Sequence, residues 1–433
     1  MRNVSMMLIF FFTSLTLLAE PLSMEQSLRI GKENNPDYRI SHLETRSAKN
    51  SYLNSYSPFI PSLNSSFSFS HQMNGPSSRL TDEFGNPYKQ DPYDYYSGRI
   101  GGGMTLFDLS TFFQVRSQKA YYNALKFSEQ QAELDLVLNI KTRYYNALAY
   151  RKLLEAATEN IGRTQKQLDK IQKMFDLGII SQIDVIKQKG LLGKALLDSI
   201  SNDKEYRTAI GKLNEILGRD PNQAIELTDN LDSSFIMIDY ETLTEYAKLN
   251  HPLLKYSQAS CQTRKFNYLS KWSDYFPSVN LGYGHSWGNS SFDNFDKFFD
   301  EDYNRYYGIT FSWNIFDGFN RELSLKNQKI QYTIAKENLT KTKLSLIQSI
   351  QNAFLSVQEA REKIKVGQLN YTTATQEYQL AEEKYNLGAG GYLDLLDAQV
   401  NLINSQATLI QNLYSYQVAL TVLENSTGYT IKK

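Results

Sequence analysis

The sequence predicts an internally duplicated α+β membrane protein in which short amphipathic strands are joined to very long α-helices. Three observations lead to this fold class: a series of motifs occurs twice, two long stretches contain no proline, and four short runs alternate apolar with polar residues. The 433 residues are enough for several domains or for one elongated body. Each observation predicts one part of the architecture.

The first observation is the duplication of sequence landmarks. Pro36 and Pro61 are 25 residues apart, and so are Pro252 and Pro277. Three further pairs lie 210 residues apart: Leu177-Gly178 with Leu387-Gly388, Asp184 with Asp394, and Gly218 with Gly428. An ordered series of this kind is typical of a repeated unit. The chain therefore divides into a first repeat, a connecting segment and a second repeat, at 20–218, 219–250 and 251–433.

The second observation predicts the helices. Proline is absent from 93–220 and from 278–433, and proline breaks helix interiors. The helices are predicted as two long ones at 109–176 and 319–386, two return helices at 184–217 and 394–426, and two helices before the strands at 37–57 and 253–273. Each long helix would span about 100 Å at about 1.5 Å per residue.

The ends of these helices carry recognisable signals. A Leu-Gly pair follows each long helix and an aspartate follows each pair, as expected for a helix C-terminus and the next N-cap. Apolar residues of the last helix, including Leu396, Val400 and Ile403, recur at steps of three and four. This rhythm is typical of a coiled-coil seam. An ordinary helical bundle is the alternative, but bundles rarely need helices of this length.

The third observation predicts four strands, at 62–72, 98–107, 278–288 and 306–316. One face of each run is apolar and the other is small and polar, and a tilted strand of about 9 to 11 residues crosses a bilayer. Aromatic residues gather at both ends of the runs: Tyr88, Tyr93, Tyr95, Tyr96, Tyr303, Tyr306 and Tyr307 at the loop ends, and Phe59, Phe107, Phe276 and Phe316 at the opposite ends. A soluble hairpin would show the same alternation, but two aromatic girdles favour a membrane barrel.

Four strands leave two open edges, which lipid does not tolerate. The chain is therefore expected to close its barrel with copies of itself. Two copies give 8 strands, whose interior is filled by side chains, whereas three copies give 12 strands and leave a channel. The strand count thus predicts an oligomeric transmembrane β-barrel with four strands per chain, continued by the long α-helices, and three copies are the smallest number expected to leave a channel.

The N-terminus predicts export from the cytoplasm. Arg2 and the apolar run at 6–19 are typical of a secretory signal peptide at 1–19, cleaved near Ala19, and an uncleaved anchor helix is the alternative. After Ala19, no stretch approaches the roughly 18 apolar residues of a spanning helix. A membrane crossing would therefore have to use strands.

The composition argues against several classes of function. Lys+Arg and Asp+Glu both number 46, so nothing indicates a nucleic-acid binder. The single cysteine, Cys261, allows neither an intrachain disulfide nor a thiolate metal cluster. The histidines have no ligand spacing and lie at 42, 71, 251 and 285. The glycines at 98–103 lack phosphate-loop spacing, so neither an enzyme nor a cofactor is predicted.

Several motifs resemble those of the TolC family of outer-membrane efflux proteins. They are Asn34-Asn35-Pro36, Ile60-Pro61-Ser62-Leu63 before a Ser/Phe strand, Ile315-Phe316-Asp317-Gly318 before a long helix, and Leu393-Asp394-Leu395-Leu396-Asp397-Ala398 after Leu-Gly. The resemblance covers about 22–430. It implies a trimer with a 12-stranded barrel in the bacterial outer membrane and an α-helical tunnel through the periplasm. The Leu-Gly turns would lie at the periplasmic tip, and 219–250 would belong to an equatorial belt.

The resemblance also implies functional residues at the tip. The periplasmic constriction of the family falls on Asp394 and Asp397, so that three chains would ring the entrance with six carboxylates. The alternative is that both aspartates only stabilise a helix N-terminus. Lys187 occupies the place of Asp397 in the first repeat, so the two repeats are not equivalent at the tip.

The contacts that hold the family's closed state fall on Tyr385 and Asp184. The arginine of the same network falls on Gly390, so that link is absent from this chain.

The implied function is an exit duct that passively conducts drugs, toxic compounds or secreted proteins. Its implied partners are an inner-membrane pump of RND or ABC type, outer-membrane lipid, and a periplasmic adaptor (membrane fusion) protein that contacts the turns at Leu177, Gly178, Leu387 and Gly388. The sequence does not separate these cargoes. A periplasmic or surface coiled-coil structural or adhesin protein without channel activity is the alternative, and it would explain the helices but not the strands.

Overall fold

The computed structural model describes residues 20–73, 80–81, 83–84, 87–88, 92–231, 235, 239–289 and 303–431. The predicted signal peptide at 1–19 lies outside the described residues. The chain divides into two compact units, each assembled from separate segments. The first unit comprises Met1–His42, Glu129–Pro252 and Lys343–Lys433, and the second comprises Leu43–Ser128 and Leu253–Thr342. Each unit therefore combines segments of both repeats.

Long helices and short strands make up the chain, which confirms the predicted combination of elements. The helices are α1 Met24–Asn34, α2 Pro36–Asn54, α3 Leu109–Asp176, α4 Gln182–Ile216, α5 Tyr240–Asn250, α6 Pro252–Ser273, α7 Asn320–Asn386 and α8 Tyr392–Thr427. The strands are β1 Glu20–Leu22, β2 Ser62–Gln72, β3 Leu80–Thr81, β4 Pro87–Tyr88, β5 Tyr93–Phe107, β6 Ile225–Leu227, β7 Ser278–Asn289 and β8 Tyr303–Ser312. None of the described helices is long and apolar enough to cross a membrane.

Some boundaries differ from the prediction. The return helices α4 and α8 begin at Gln182 and Tyr392, two residues earlier than expected. Strand β5 begins at Tyr93 rather than at 98, because its partner β2 pairs with it as far as Gln72. Strand β8 spans Tyr303–Ser312 rather than 306–316.

The early end of β8 has a local cause. The Arg321 guanidinium donates to the carbonyl oxygens of Asn314 at 2.8 Å and Ile315 at 3.3 Å, so these groups do not need a neighbouring strand. Gly318 and Phe319 then both adopt a left-handed backbone, with φ of +70° and +68°. Only glycine adopts this conformation without steric cost, and two such residues in succession turn the chain out of the sheet and into α7.

The second unit contains an antiparallel sheet of four strands in the order β2-β5-β7-β8. Leu63, Phe67 and Phe69 of β2 point to one face, because successive side chains of a strand alternate. Ser62 and Asn64 of β2 lie on the other face, together with Gly101, Gly284 and Gly308 of β5, β7 and β8. The pairing of β5 with β7 shifts register between Thr105 and Phe107. The edge strands β2 and β8 are exposed along their whole lengths.

The core of the first unit lies where α3 and α4 pack against the parallel pair β1–β6. Ile140, Tyr144 and Leu213 are fully buried there. The Tyr144 hydroxyl donates to the Leu22 carbonyl at 2.9 Å, which satisfies a polar group inside the core. A second cluster packs α5 against α7 and α8, and it includes Leu243, Val357, Ile364, Tyr416 and Leu423.

Candidate functional site

The first part of the candidate site is the turn that follows α3, in the first unit. Gly178 adopts a left-handed backbone with φ of +75°. Its N–H donates to the Phe175 carbonyl at 2.8 Å, and the Ile179 N–H donates to the Met174 carbonyl at 2.9 Å. This pair of bonds defines a Schellman motif, in which glycine at the left-handed position ends a helix.

The turn after α7 repeats this geometry. Gly388 has a φ of +73°, and its N–H donates to the Tyr385 carbonyl at 3.1 Å. The Ala389 N–H donates to the Lys384 carbonyl at 2.9 Å. The two Leu-Gly pairs therefore end their helices by the same backbone motif.

The return helices begin differently in the two repeats. Ser181 is the N-cap of α4, and its hydroxyl accepts a hydrogen bond from the Ile183 N–H at 3.2 Å. Gly391 occupies this position in α8 and has no capping side chain. Instead, the Asp394 carboxylate accepts a hydrogen bond from the Gly391 N–H at 3.3 Å. The prediction that Asp184 and Asp394 are N-caps was therefore wrong, since both lie three residues inside the cap.

An apolar cluster holds the four helices together beside the turns. Its buried members are Ile171, Val185, Ala374, Tyr378, Tyr385, Tyr392, Leu395, Ala398 and Leu402, from α3, α4, α7 and α8. Burial of a large apolar side chain stabilises a fold by roughly 1.5–3 kcal/mol. This cluster fixes the positions from which the polar groups of the turns project.

A chain of buried polar side chains crosses the same cluster. The Tyr392 hydroxyl donates to Gln188 Oε1 at 2.8 Å, and Gln188 Nε2 donates to the Thr164 carbonyl at 3.1 Å. Gln399 Nε2 donates to Thr164 Oγ1 at 2.9 Å. Two residues of α8 are thus tied to both α3 and α4 by hydrogen bonds that water does not reach.

Tyr385 is a buried member of the same cluster. Its hydroxyl is buried and has no hydrogen-bond partner among the described residues, so the expected tie to Asp184 is not a hydrogen bond here. Burial and the nearby Asp184 charge both raise the pKa of Tyr385. Burial, followed by the charges of Asp184 and Tyr385, raises the pKa of Tyr392 to about 12. Both tyrosines are therefore neutral at physiological pH.

The two aspartates of the second turn are exposed. Asp394 and Asp397 lie three residues apart at the start of α8, so they share one helix face. Lys187, at the corresponding position of α4, is also exposed. At Gly390, an added Cβ would lie 3.0 Å from Lys384 Cβ and 3.2 Å from the Tyr385 nitrogen. A larger residue at this position would therefore require the turn to shift.

Both turns also present apolar side chains to solvent. Leu177 is 75% exposed and Leu387 is 83% exposed. Ile179, Ile183 and Ile186 extend the exposed apolar surface of the first turn, and Leu393 extends that of the second. Large apolar residues gathered on a surface are typical of an interaction site.

Sequence reasoning missed the buried polar chain. A usable signal was present, because Gln188 and Gln399 interrupt the apolar positions of the coiled-coil seams around Val185 and Leu402. A polar residue at a seam position needs a specific partner. Among the described residues, no cluster of histidine, cysteine, aspartate or glutamate is placed to hold a metal ion.

The family model for outer membrane efflux proteins matches residues 30–219 and 243–429, which is most of the chain and includes both turns. The chain belongs to this family. The outer membrane efflux proteins it resembles include the outer membrane protein TolC of Vibrio cholerae, which is 20% identical over 405 residues, or 92% of this chain and 88% of that protein.

Solved structures agree with this membership. The outer membrane efflux protein superposes on CusC with a TM-score of 0.80 at 18% identity, covering 94% of this chain and 92% of that one. VceC from Vibrio cholerae gives a TM-score of 0.79 at 15% identity, with coverages of 94% and 96%. The protein is thus an outer-membrane efflux channel with a large periplasmic helical portion, and its relatives are channels rather than enzymes.

Proposed function

We propose that three copies of this chain close one 12-stranded barrel and form the exit duct of an efflux or secretion system. The supporting observation is that both edge strands, β2 and β8, are exposed along their whole lengths. Unpaired backbone groups are costly in lipid, and pairing β2 of one copy with β8 of the next removes every edge. Three copies are the smallest number that leaves a channel.

The polar face of the sheet supports a water-filled interior. Serine and asparagine side chains of β2 share this face with Gly284 and Gly308 of the neighbouring strands. The opposite face carries Leu63, Phe67 and Ile309 and suits contact with lipid. Small residues inside the barrel keep the channel wide.

The second helix turn would form the entrance of the duct. Asp394 and Asp397 are exposed on one face of α8, and a threefold arrangement brings six carboxylates around one axis. A narrow opening focuses their field, so the pore favours cations, as acidic rings do in cation channels.

The closed state would be held by contacts between the two repeats beside this entrance. Tyr385 and Asp184 supply one such contact, in which the buried tyrosine lies within the field of the carboxylate. The hydrogen bond from Tyr392 to Gln188 supplies a direct tie between α8 and α4. Opening the entrance by moving α8 would break this tie.

The Leu-Gly turns would dock the periplasmic adaptor that links the duct to an inner-membrane pump of RND or ABC type. The exposed side chains of Leu177 and Leu387 stand beside Gly178 and Gly388, where a partner can reach both backbone and apolar surface. The cargo is then chosen by the pump and includes drugs, toxic compounds or secreted proteins.

Native mass spectrometry of the purified full chain in detergent, combined with planar-bilayer recording, tests the assembly. We expect a trimer that gives discrete single-channel currents. A stable, monodisperse monomer, or a trimer without conductance, would contradict the proposed closure of the barrel.

A further inference from the structure

The apolar face of the sheet carries an unexpected positive charge near the loop end of β8. Arg305 is the third residue of β8, and it lies on the same face as Tyr303, Tyr307 and Ile309 because residues two apart share a face. The sheet register places Arg305 directly opposite His285 of β7. Arg305 is exposed, whereas His285 is only 7% exposed.

These side chains form an ordered cluster. Arg305 Nε donates to His285 Nδ1 at 2.7 Å, and the guanidinium carbon lies 4.8 Å from the Tyr303 ring centroid. The His285 ring centroid lies 4.1 Å from a ring centroid of Trp287 and 5.5 Å from that of Tyr303. The Tyr303 ring and the His285 imidazole therefore hold the arginine in place, since cations bind favourably over aromatic faces.

The cluster has one buried hydrogen-bond donor that lacks an acceptor among the described residues. Because His285 Nδ1 accepts from Arg305, the imidazole proton lies on Nε2. That nitrogen is buried and has no partner among the described residues. Among the described residues, no carboxylate forms an ion pair with Arg305. The other titratable pair on this face, His71 with Asp94, is joined internally at 2.7 Å.

The position of the cluster identifies a suitable counter-ion. An arginine on the lipid face of a barrel costs roughly 2–4 kcal/mol at the bilayer midplane and about 0–1 kcal/mol near the interface. Tryptophan and tyrosine prefer that interface, and arginine side chains extend towards the headgroups. The anion of this layer is the lipid phosphate, which guanidinium groups bind through two parallel hydrogen bonds.

We propose that Arg305, positioned by His285 and Tyr303, binds the phosphate of a membrane lipid headgroup on the outward face of the barrel. This site rests on the proposed transmembrane orientation of the sheet, in which the apolar face contacts lipid. It gives the barrel a specific anchor at the loop side of the membrane.

Arg99 provides a matched control on the same sheet. It lies on the polar face of β5, where its Nη2 donates to the Tyr306 hydroxyl at 2.9 Å. Arg305→Gln and Arg99→Gln therefore each remove one positive charge, but from opposite faces. The full-length protein is titrated in mixed micelles with phosphatidylglycerol or with a phosphate-free glycosyl diacylglycerol of the same chains, and a third titration uses inorganic phosphate.

We expect phosphatidylglycerol to raise the thermal midpoint of the wild type and of Arg99→Gln. Arg305→Gln should bind it about tenfold more weakly, which corresponds to the loss of one charge-assisted hydrogen-bonding partner. Arg305→Lys should restore part of the binding, because it retains the charge without the planar fork. The phosphate-free lipid and inorganic phosphate should give no difference between the variants.

Equal binding by Arg305→Gln and the wild type would overturn the lipid site, as would an equal loss in Arg99→Gln. If inorganic phosphate raised the thermal midpoint as much as the lipid does, the site would bind free anions and the proposed lipid site would be overturned. If Arg305→Gln does not fold, Arg305→Lys is compared with Arg305→Met. The proposed site requires the lysine variant to bind the lipid more tightly than the methionine variant. Native mass spectrometry of the same samples reports the trimer independently, so failure of the lipid site and failure of barrel closure are distinguishable.

Discussion

The two helix turns share a backbone but differ in their side chains. Gly178 and Gly388 have nearly the same left-handed φ and close the same pair of hydrogen bonds. Beyond the turn, Ser181 caps α4, whereas the second repeat relies on the Asp394 carboxylate. The two repeats therefore share the backbone motif that ends a helix and differ in the side chains that follow it.

The difference extends to charge and to hydrogen bonding. Lys187 in the first repeat corresponds to Asp397 in the second, and Phe175 corresponds to Tyr385. Only the second turn therefore carries two exposed carboxylates and two buried tyrosines. The first turn is therefore mainly apolar, whereas the second also carries exposed negative charge.

The largest expected effect on stability comes from replacing Tyr392, and replacing Tyr385 should have a much smaller effect. Tyr392→Phe leaves Gln188 Oε1 buried without a donor, which should destabilise the protein by about 1–3 kcal/mol. Tyr385→Phe introduces the residue that the first repeat already has and removes a hydroxyl without a described partner. It should change stability by less than about 0.5 kcal/mol. Thermal unfolding of the two variants measures the difference.

Equal destabilisation by both substitutions would show that Tyr385 also has an essential partner. In that case, the assignment of the tie to Tyr392 and Gln188 would be wrong.

A smaller effect on stability is expected from replacing the left-handed glycine in each of the two turns. Gly178→Ala and Gly388→Ala each place a Cβ on a left-handed residue, which should cost about 1–2 kcal/mol. No other atom lies within 4 Å of the added Cβ at either position, so the cost comes from the backbone alone. Thermal midpoints should fall by similar amounts in the two variants. A large effect at only one turn would mean that the two motifs are not equivalent.

The sequence was sufficient to predict elements whose signals are local. The absence of proline predicted α3 and α7, and the Leu-Gly pairs predicted their ends, because both depend on backbone conformation. The end of β8 could not be predicted, since it depends on Arg321 reaching back to carbonyl groups six and seven residues earlier. Short elements such as β1 and β6 were also missed, because they form only by pairing with each other across the chain.

The candidate site could also be predicted from the sequence only where its features are local. The positions of Asp394 and Asp397 on one helix face follow from their spacing. The tie between Tyr392 and Gln188 does not, because the two residues are 204 positions apart and meet only through the packing of α4 against α8. Sequence reasoning therefore did not identify this hydrogen bond.

A dependence of stability on alkaline pH gives a separate test of Tyr392. Burial raises the pKa of Tyr392 to about 12 from its ordinary value of 10.0, so folding favours the neutral phenol. This contribution is fully present below pH 10 and is lost as the pH rises towards about 12. The first repeat has Gln182 at this position and gives no such effect. Thermal midpoints measured between pH 9 and pH 12 should fall less steeply in Tyr392→Phe than in the wild type, and parallel curves would contradict this assignment.

The ion selectivity of the pore tests most directly whether the second turn controls passage. Reversal potentials are measured in a salt gradient for the wild type, for Asp394→Ala/Asp397→Ala, and for Glu359→Ala/Glu362→Ala. The control removes two exposed carboxylates with the same spacing from the interior of α7. We expect a cation-preferring wild type and control, and a reversal potential shifted towards zero in the aspartate variant. If the aspartate variant kept the wild-type reversal potential, the two carboxylates would only stabilise the start of α8.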